Sequence, residues 1–163
     1  MERRCVERVV IGKAKAEDVK QAADLLVRMK KLNGEFDPLF KVVEDADARA
    51  SRYLNESIAS NNCLVLVAKI DKKVIGFLRA EVKERLFYEP RKEGIITDIY
   101  ILPEGRRKSL GNDILSKASE KLKQMGAEMI VAEFPAQNEI AGRFYTKRGF
   151  RALVNTFAKA HRS

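Results

Sequence analysis

Between Asp98 and Gly111 the sequence runs Asp-Ile-Tyr-Ile-Leu-Pro-Glu-Gly-Arg-Arg-Lys-Ser-Leu-Gly. An apolar strand-like stretch passes at once into a basic loop that opens a helical pattern. The first N–H groups of a helix have no intrahelical acceptor, and the helix dipole adds partial positive charge there, so anions bind at such an end. Arg106, Arg107 and Lys108 put full positive charges beside those groups, and Gly111 leaves room where a phosphate would approach. The spacing fits a pyrophosphate site. The same residues also fit a charged turn ahead of a surface helix, and the pattern alone does not separate the two.

The surrounding periodicity predicts what would hold this loop. Val9-Val10-Ile11 has strand character, and residues 16–33 carry Val19, Ala22, Ala23, Leu26, Met29 and Leu32 at helical spacing up to a stop at Asn33-Gly34. Asp37-Pro38 marks a turn, and Ala46, Ala50, Tyr53, Leu54 and Ile58 predict a second helix. Cys63–Ile70 and Val74–Val82 form a predicted hairpin about Asp71-Lys72-Lys73, followed by a charged loop over 83–93. A strand over Gly94–Leu102, a helix over Ser109–Met125 ended by Gly126, a strand over Met129–Phe134 and a helix over Asn138–Lys147 come next. Phe150–Ala160 reads as a last strand. The order β-α-α-β-β-β-α-β-α-β predicts an α/β (α+β) fold, a mixed sheet with helices on both faces, in a single domain over residues 1–163.

Composition narrows the functional classes. The 163 residues are 45% hydrophobic and 34% charged, with a net charge of +9. That is a soluble, globular balance large enough for one core. No apolar run reaches the roughly 20 residues of a membrane span, and the charged start Met1-Glu2-Arg3-Arg4 is unlike a secretory signal, so the expectation is a cytoplasmic protein without membrane contact. Cys5 and Cys63 are read as reduced thiols. The single histidine, His161, stands near the end of the chain, which leaves no His/Cys cluster for a metal and no Ser-His-acid arrangement. The basic balance admits nucleic acid as a partner, but basic and aromatic residues are not interleaved as in a stacking platform, so none is expected.

The 106–111 stretch resembles the coenzyme A signature of the GNAT family of N-acetyltransferases, Arg/Gln-x-x-Gly-x-Gly/Ala, with Arg106 and Gly111 at its ends and Ser109 in place of the first glycine. Downstream, Asn138 and Phe144-Tyr145-Thr146-Lys147-Arg148-Gly149-Phe150 are similar to the family's Asn…Phe-Tyr-x-x-x-Gly-Phe pattern. Element order and length fit over essentially the whole chain. The resemblance implies a mostly antiparallel sheet with a splayed strand pair, acetyl-CoA as cosubstrate in the gap, no metal, and an amine acceptor in a ternary complex. It implies backbone bonds from Ile99, Tyr100 and Ile101 to the pantetheine arm, a pyrophosphate cradle over Arg106, Arg107, Lys108, Ser109, Leu110, Gly111 and Asn112, and a bond from Asn138. Tyr145 would donate a proton to the departing thiolate, a plausible transfer for a phenol of pKa about 10 and a thiol of about 8.5. A homodimer is a further expectation by analogy.

The attacking amine must lose a proton, which calls for a carboxylate or a water chain. Asp98, Glu81 and Glu133 are the candidates. Tyr88-Glu89-Pro90 with Thr97-Asp98-Ile99-Tyr100-Ile101 is similar to the spermidine/spermine acetyltransferase branch, where two adjacent acids stand; here Thr97 replaces one of them. The resemblance therefore makes Asp98 a catalytic and acceptor-binding candidate, with Tyr88, Glu81 and Glu133 as further acceptor contacts. A module that binds acyl-CoA as a sensor without turnover is the alternative.

Overall fold

The computed structural model describes residues 7–106 and 109–161. Five strands, β1 (Val9–Lys13), β2 (Cys63–Ile70), β3 (Lys73–Glu84), β4 (Lys92–Ile101) and β5 (Met129–Ala132), lie in sequence order across one sheet. The first four are antiparallel and β5 runs parallel to β4. The expected mixed, mostly antiparallel sheet is what forms. Alternation decides which core each strand residue joins. Leu64, Leu66, Leu78 and Ile96 pack with α4 (Leu110–Gln124) on one face, while Val65, Val67 and Phe77 pack with α1 (Val19–Phe36) and α2 (Ala46–Ala59) on the other. β2 and β3 are apolar on both sides because both sides are covered.

Several expectations change. Gly34 does not end α1; the helix continues to Phe36 and stops ahead of Asp37-Pro38. A Cβ on Gly34 would lie 3.3 Å from the Phe40 carbonyl oxygen, so this glycine admits a close crossing of the 3-10 turn Pro38–Phe40. The expected charged loop over 83–93 forms but is shorter, over 85–91, since β3 runs to Glu84 and β4 begins at Lys92. A short helical turn, α3 (Pro103–Arg106), follows β4. The last predicted strand is absent: after α5 (Glu139–Thr146) the chain turns at Gly149 with φ +86°, and residues 151–161 form no element and are all exposed. Its apolar residues have no strand partner among the described residues.

Candidate active site

One irregularity in the sheet makes the site. Arg79 pairs with Asp98, but its neighbour Ala80 pairs with Ile96, so Thr97 is an extra residue and β4 bulges there. A bulge bends a strand and strengthens its twist. β4 and β5 pair only from Glu93–Met129 to Ile96–Ala132, with a last bond from Glu133 N–H to the Ile96 carbonyl at 3.1 Å. Beyond it the two strands part. Leu102 N–H donates to Ile75 on β3, and alternation along an antiparallel pair then turns the backbone groups of Tyr100 and Asp98 to β3 and those of Ile99 and Ile101 to the opening. Of these, the Ile101 carbonyl already accepts from Arg106 Nε at 2.8 Å. Among the described residues the opening therefore has an unpaired strand edge, which an extended amide-containing ligand can complete.

At the end of β4 the loop folds tightly. A Cβ on Gly105 would lie 2.8 Å from Ile101 Cγ2 and 2.9 Å from Leu110 Cδ2. Ser109 precedes α4 with φ 56° and ψ 27°, in the left-handed region, and its side chain makes no capping bond. Leu110 is buried, so only its backbone can meet a ligand. Gly111 has a packing reason as well: a Cβ there would stand 3.2 Å from Phe144 Cε2. Asn112 Oδ1 accepts from Arg148 Nε at 3.0 Å, and the Arg148 guanidinium lies 3.8 Å over the Phe144 ring, which ties the start of α4 to α5. Arg107 and Lys108 lie outside the described residues. What is described, an open strand edge leading to the N-terminus of a 15-residue helix, fits a long ligand with an anionic group at that end.

Tyr145 is enclosed by Phe134 (5.5 Å between ring centres, stacked), Phe144 and Phe150 (both 5.1 Å). Burial pushes its phenol up to about 12, with only partial opposition from the Arg148 charge. Phe134 stands two residues beyond β5, so this aromatic cage borders the strand opening. Asn138 caps α5, its Oδ1 accepting from Ala141 N–H at 3.1 Å; its side-chain NH2 is left for another acceptor.

The acids occupy a different setting. Asp98 is 2% exposed. Its Oδ2 accepts from the Tyr53 hydroxyl and the Thr97 hydroxyl, both at 2.8 Å. Its Oδ1 faces Lys30 Nζ at 2.8 Å as an ion pair without an aligned hydrogen bond. Burial, then the Asp98 carboxylate beside it, push the Tyr53 phenol well up. Arg79, buried in mid-strand, donates to Ser57, Thr97, Cys63 and Glu81 and lies 4.5 Å from the Tyr53 ring centre. Glu81 also pairs with Lys83 at 3.1 Å. Burial alone would raise its carboxyl, but the Lys83 hydrogen bond and the two cations outweigh that and hold it below its ordinary value. Glu133 is exposed at the apex of the opening. Tyr88 is exposed in the 85–91 loop, at the opposite end of β4 from the opening. The structure thus gathers Asp98 with Glu81 on the α1–α2 face and Tyr145 with Asn138 on the other, and leaves Tyr88 apart. Lys30, Tyr53 and Arg79 escaped the sequence reading. For Arg79 there was a signal: a charge inside Phe77-Leu78-Arg79-Ala80 must find buried partners.

Residues 27–150 match the model of the acetyltransferase (GNAT) family. The chain belongs to that family. An uncharacterized N-acetyltransferase of Archaeoglobus fulgidus is 29% identical over 87 residues, covering 53% of this chain and 59% of the relative. An aminoalkylphosphonate N-acetyltransferase of Salmonella typhimurium is 27% identical over 88 residues, covering 54% and 56%. The chain thus matches little more than half the length of these two curated relatives. In fold, a crystal structure of a predicted acetyltransferase with acetyl-CoA from Clostridium acetobutylicum superposes with a TM-score of 0.75 at 17% identity, over 94% of this chain and 96% of that one.

Proposed function

We propose that this protein transfers an acetyl group from acetyl-CoA to a small primary amine by direct attack in a ternary complex. The observation that carries the proposal is the opening made by the Thr97 bulge, with the Tyr145 cage on one side of the sheet and the Asp98 cluster on the other. Two reactants can then reach one point from opposite faces. Bound acetyl-CoA supplies a thioester and a thiol leaving group. The outward backbone edge of Ile99 and Ile101 would hold the amide-bearing arm, the N-terminus of α4 with Arg106 the phosphates, and the Asn138 side-chain NH2 a carbonyl. Tyr145 holds its proton at physiological pH and would hydrogen-bond the departing thiolate; burial, which raises the phenol to about 12, works against full transfer, so the proton would move only as the thiolate's charge develops.

On the other face, the Asp98 carboxylate is the group that would bind the acceptor's ammonium and take its proton. Lys30 now holds that place. Its side chain is 47% exposed while that of Asp98 is 1% exposed, so Lys30 can swing away and Asp98 cannot. An incoming ammonium would replace Lys30 Nζ on Oδ1 and free the Lys30 charge for an anionic group of the same acceptor. This favours an amine that also carries a negative charge, and the Salmonella relative bears the name of such an acceptor. It disfavours a polyamine, because both clustered acids already carry cations.

The test is thiol release from acetyl-CoA against amines with and without an anionic group, with product masses. The expected result is acceptor-dependent release of thiol and an acetylated amine, slowed about 100-fold by Tyr145→Phe with acetyl-CoA binding retained. Binding without release for every amine would instead support a sensor.

A further inference from the structure

Lys30 is itself a primary amine, and it stands where the acceptor's amine is to go. Its Nζ lies 2.8 Å from Asp98 Oδ1, an atom without a hydrogen-bond partner among the described residues. The other oxygen, Oδ2, is taken by the hydroxyls of Tyr53 and Thr97, so Oδ1 is the one with capacity for a proton. Asp98 follows the Thr97 bulge and precedes Ile99, whose backbone groups face the opening. Lys69 gives the contrast. It too meets a buried carboxylate, Asp18 at 3.0 Å, but it donates an aligned hydrogen bond there and lies on β2, with β3 between it and β4. Lys31, next to Lys30 on α1, is exposed. Of these three lysines, Lys30 combines a half-exposed, loosely held amine with a carboxylate beside the opening.

We infer that Lys30 is a substrate of its own enzyme: with acetyl-CoA bound and no acceptor present, the acetyl group passes to Lys30 Nζ within the same molecule. This step rests on the proposed acetyl transfer with Asp98 as base. Nζ gives one proton to Asp98 Oδ1 and attacks the thioester carbonyl carbon. The N–C bond forms, the C–S bond breaks, and sulfur leaves with that electron pair and takes a proton from Tyr145. The second proton that Nζ loses on becoming an amide restores Tyr145, and Asp98 passes the first to water. The products are Nε-acetyl-Lys30, a free thiol and one proton in solution. An amide carries no charge, so the modified side chain no longer pairs with Asp98, and its half-exposed stem can leave the site. Oδ1 is then open to a simple amine, while the cation that would meet an anionic group is gone. Self-acetylation is therefore a one-way change of acceptor preference, and an acceptor seated on Oδ1 prevents it.

The full chain, incubated with acetyl-CoA carrying a deuterated acetyl group and no amine, should take up label on Lys30, located by tandem mass spectrometry of its peptides. Lys30 should be labelled at least about 100-fold faster than Lys31 and Lys69, the factor a positioned base supplies. The rate per molecule should not change with protein concentration. Asp98→Asn, with its fold checked by circular dichroism, should bring Lys30 down to the rate of Lys31. Without acetyl-CoA, the Lys30 ammonium signal in nitrogen-edited NMR should move on Asp98→Asn while that of Lys31 stays. A chain that acetylates an added amine, yet leaves Lys30 unlabelled when the amine is withheld, overturns the inference and keeps the proposed acetyl transfer. Acetyl-CoA bound with neither an amine nor Lys30 acetylated overturns both. Lys30 labelled no faster than Lys31 and Lys69 means chemical acetylation, and a rate per molecule that rises with protein concentration makes another copy the catalyst; either result overturns the inference.

Discussion

Replacing Ser109 with glycine should stabilise the protein, and the magnitude follows from one dihedral pair. At φ 56° and ψ 27° the Cβ of an L-residue crowds the following carbonyl, a cost of about 1–2 kcal/mol that glycine does not bear. Glycine brings its own cost, about 0.5–1 kcal/mol of extra freedom lost from the unfolded chain. The balance is a gain of about 0.5–1 kcal/mol. In a domain of this size that is a rise in Tm of about 2–3 °C, and it should appear equally in the urea midpoint. Ser109→Ala is the control. The hydroxyl caps nothing and the residue is exposed, so alanine keeps the strain and loses no bond, and stability should stay within about 0.5 kcal/mol of the parent. The reasoning fails if glycine is no more stable than alanine, because the strain would then be absent. Ser109→Val should be the worst of the three, since a β-branched residue tolerates the left-handed region least.

Gly105→Ala forces a Cβ to within 3 Å of Ile101 and Leu110 and should cost about 1–3 kcal/mol in urea unfolding. Lys30→Met should lower the KM for simple amines and raise it for amines bearing an anion, with kcat for simple amines little changed; parallel shifts for both classes would remove Lys30 from the acceptor site. The depressed Glu81 carboxyl contributes stability that is complete above its unfolded value of 4.5 and is lost as pH falls through the lower folded value, so Glu81→Gln should flatten the fall of the urea midpoint below about pH 5. The raised Tyr145 phenol has the opposite sign: its contribution is present below the unfolded value of 10.0 and is lost as pH rises through about 12, and Tyr145→Phe should reduce the alkaline loss of stability in that window.

The elements with clean periodicity were legible. The α4 stripe Leu110, Ile114, Leu115, Ala118, Leu122 and the doubly apolar β2 and β3 could be read by residue, because side-chain spacing reports which face is covered. The Thr97 bulge could not. A one-residue offset between strands depends on the partner's register, and Thr97 by itself is an ordinary strand residue. The Lys30–Asp98 contact spans 68 positions and depends on how α1 crosses the sheet, which periodicity does not specify. Gly34 misled because a glycine near a helix end has two uses, a left-handed cap or a close approach, and only the position of the Phe40 backbone decides between them. Residues 150–160 misled for a physical reason too: strand composition reports a capacity for pairing, and no strand among the described residues stands beside this segment.

The net charge of +9 is best understood by where it is already engaged. On the α1–α2 face Lys30, Arg79 and Lys83 meet Asp98 and Glu81. Arg79 is buried with its donors directed to four side-chain partners, so it is part of the frame and cannot reorient toward a ligand. That leaves Lys30 as the cation of this cluster whose only ion pair among the described residues is the one an acceptor's ammonium would break. Where β4 ends, the guanidinium of Arg106 reaches the Ile101 carbonyl through Nε, which leaves its two terminal nitrogens without a hydrogen-bond partner among the described residues. Exposed charge therefore faces the end where a polyanion would bind, and one releasable charge stands where the proposed acceptor would enter. A polycation would be repelled at both ends, by bulk charge at long range and by occupied carboxylates at contact. An amine whose anionic group carries two charges is net negative, so it is attracted at long range and would gain an ion pair on arrival, and added salt should raise the KM of such an acceptor more than that of a simple amine.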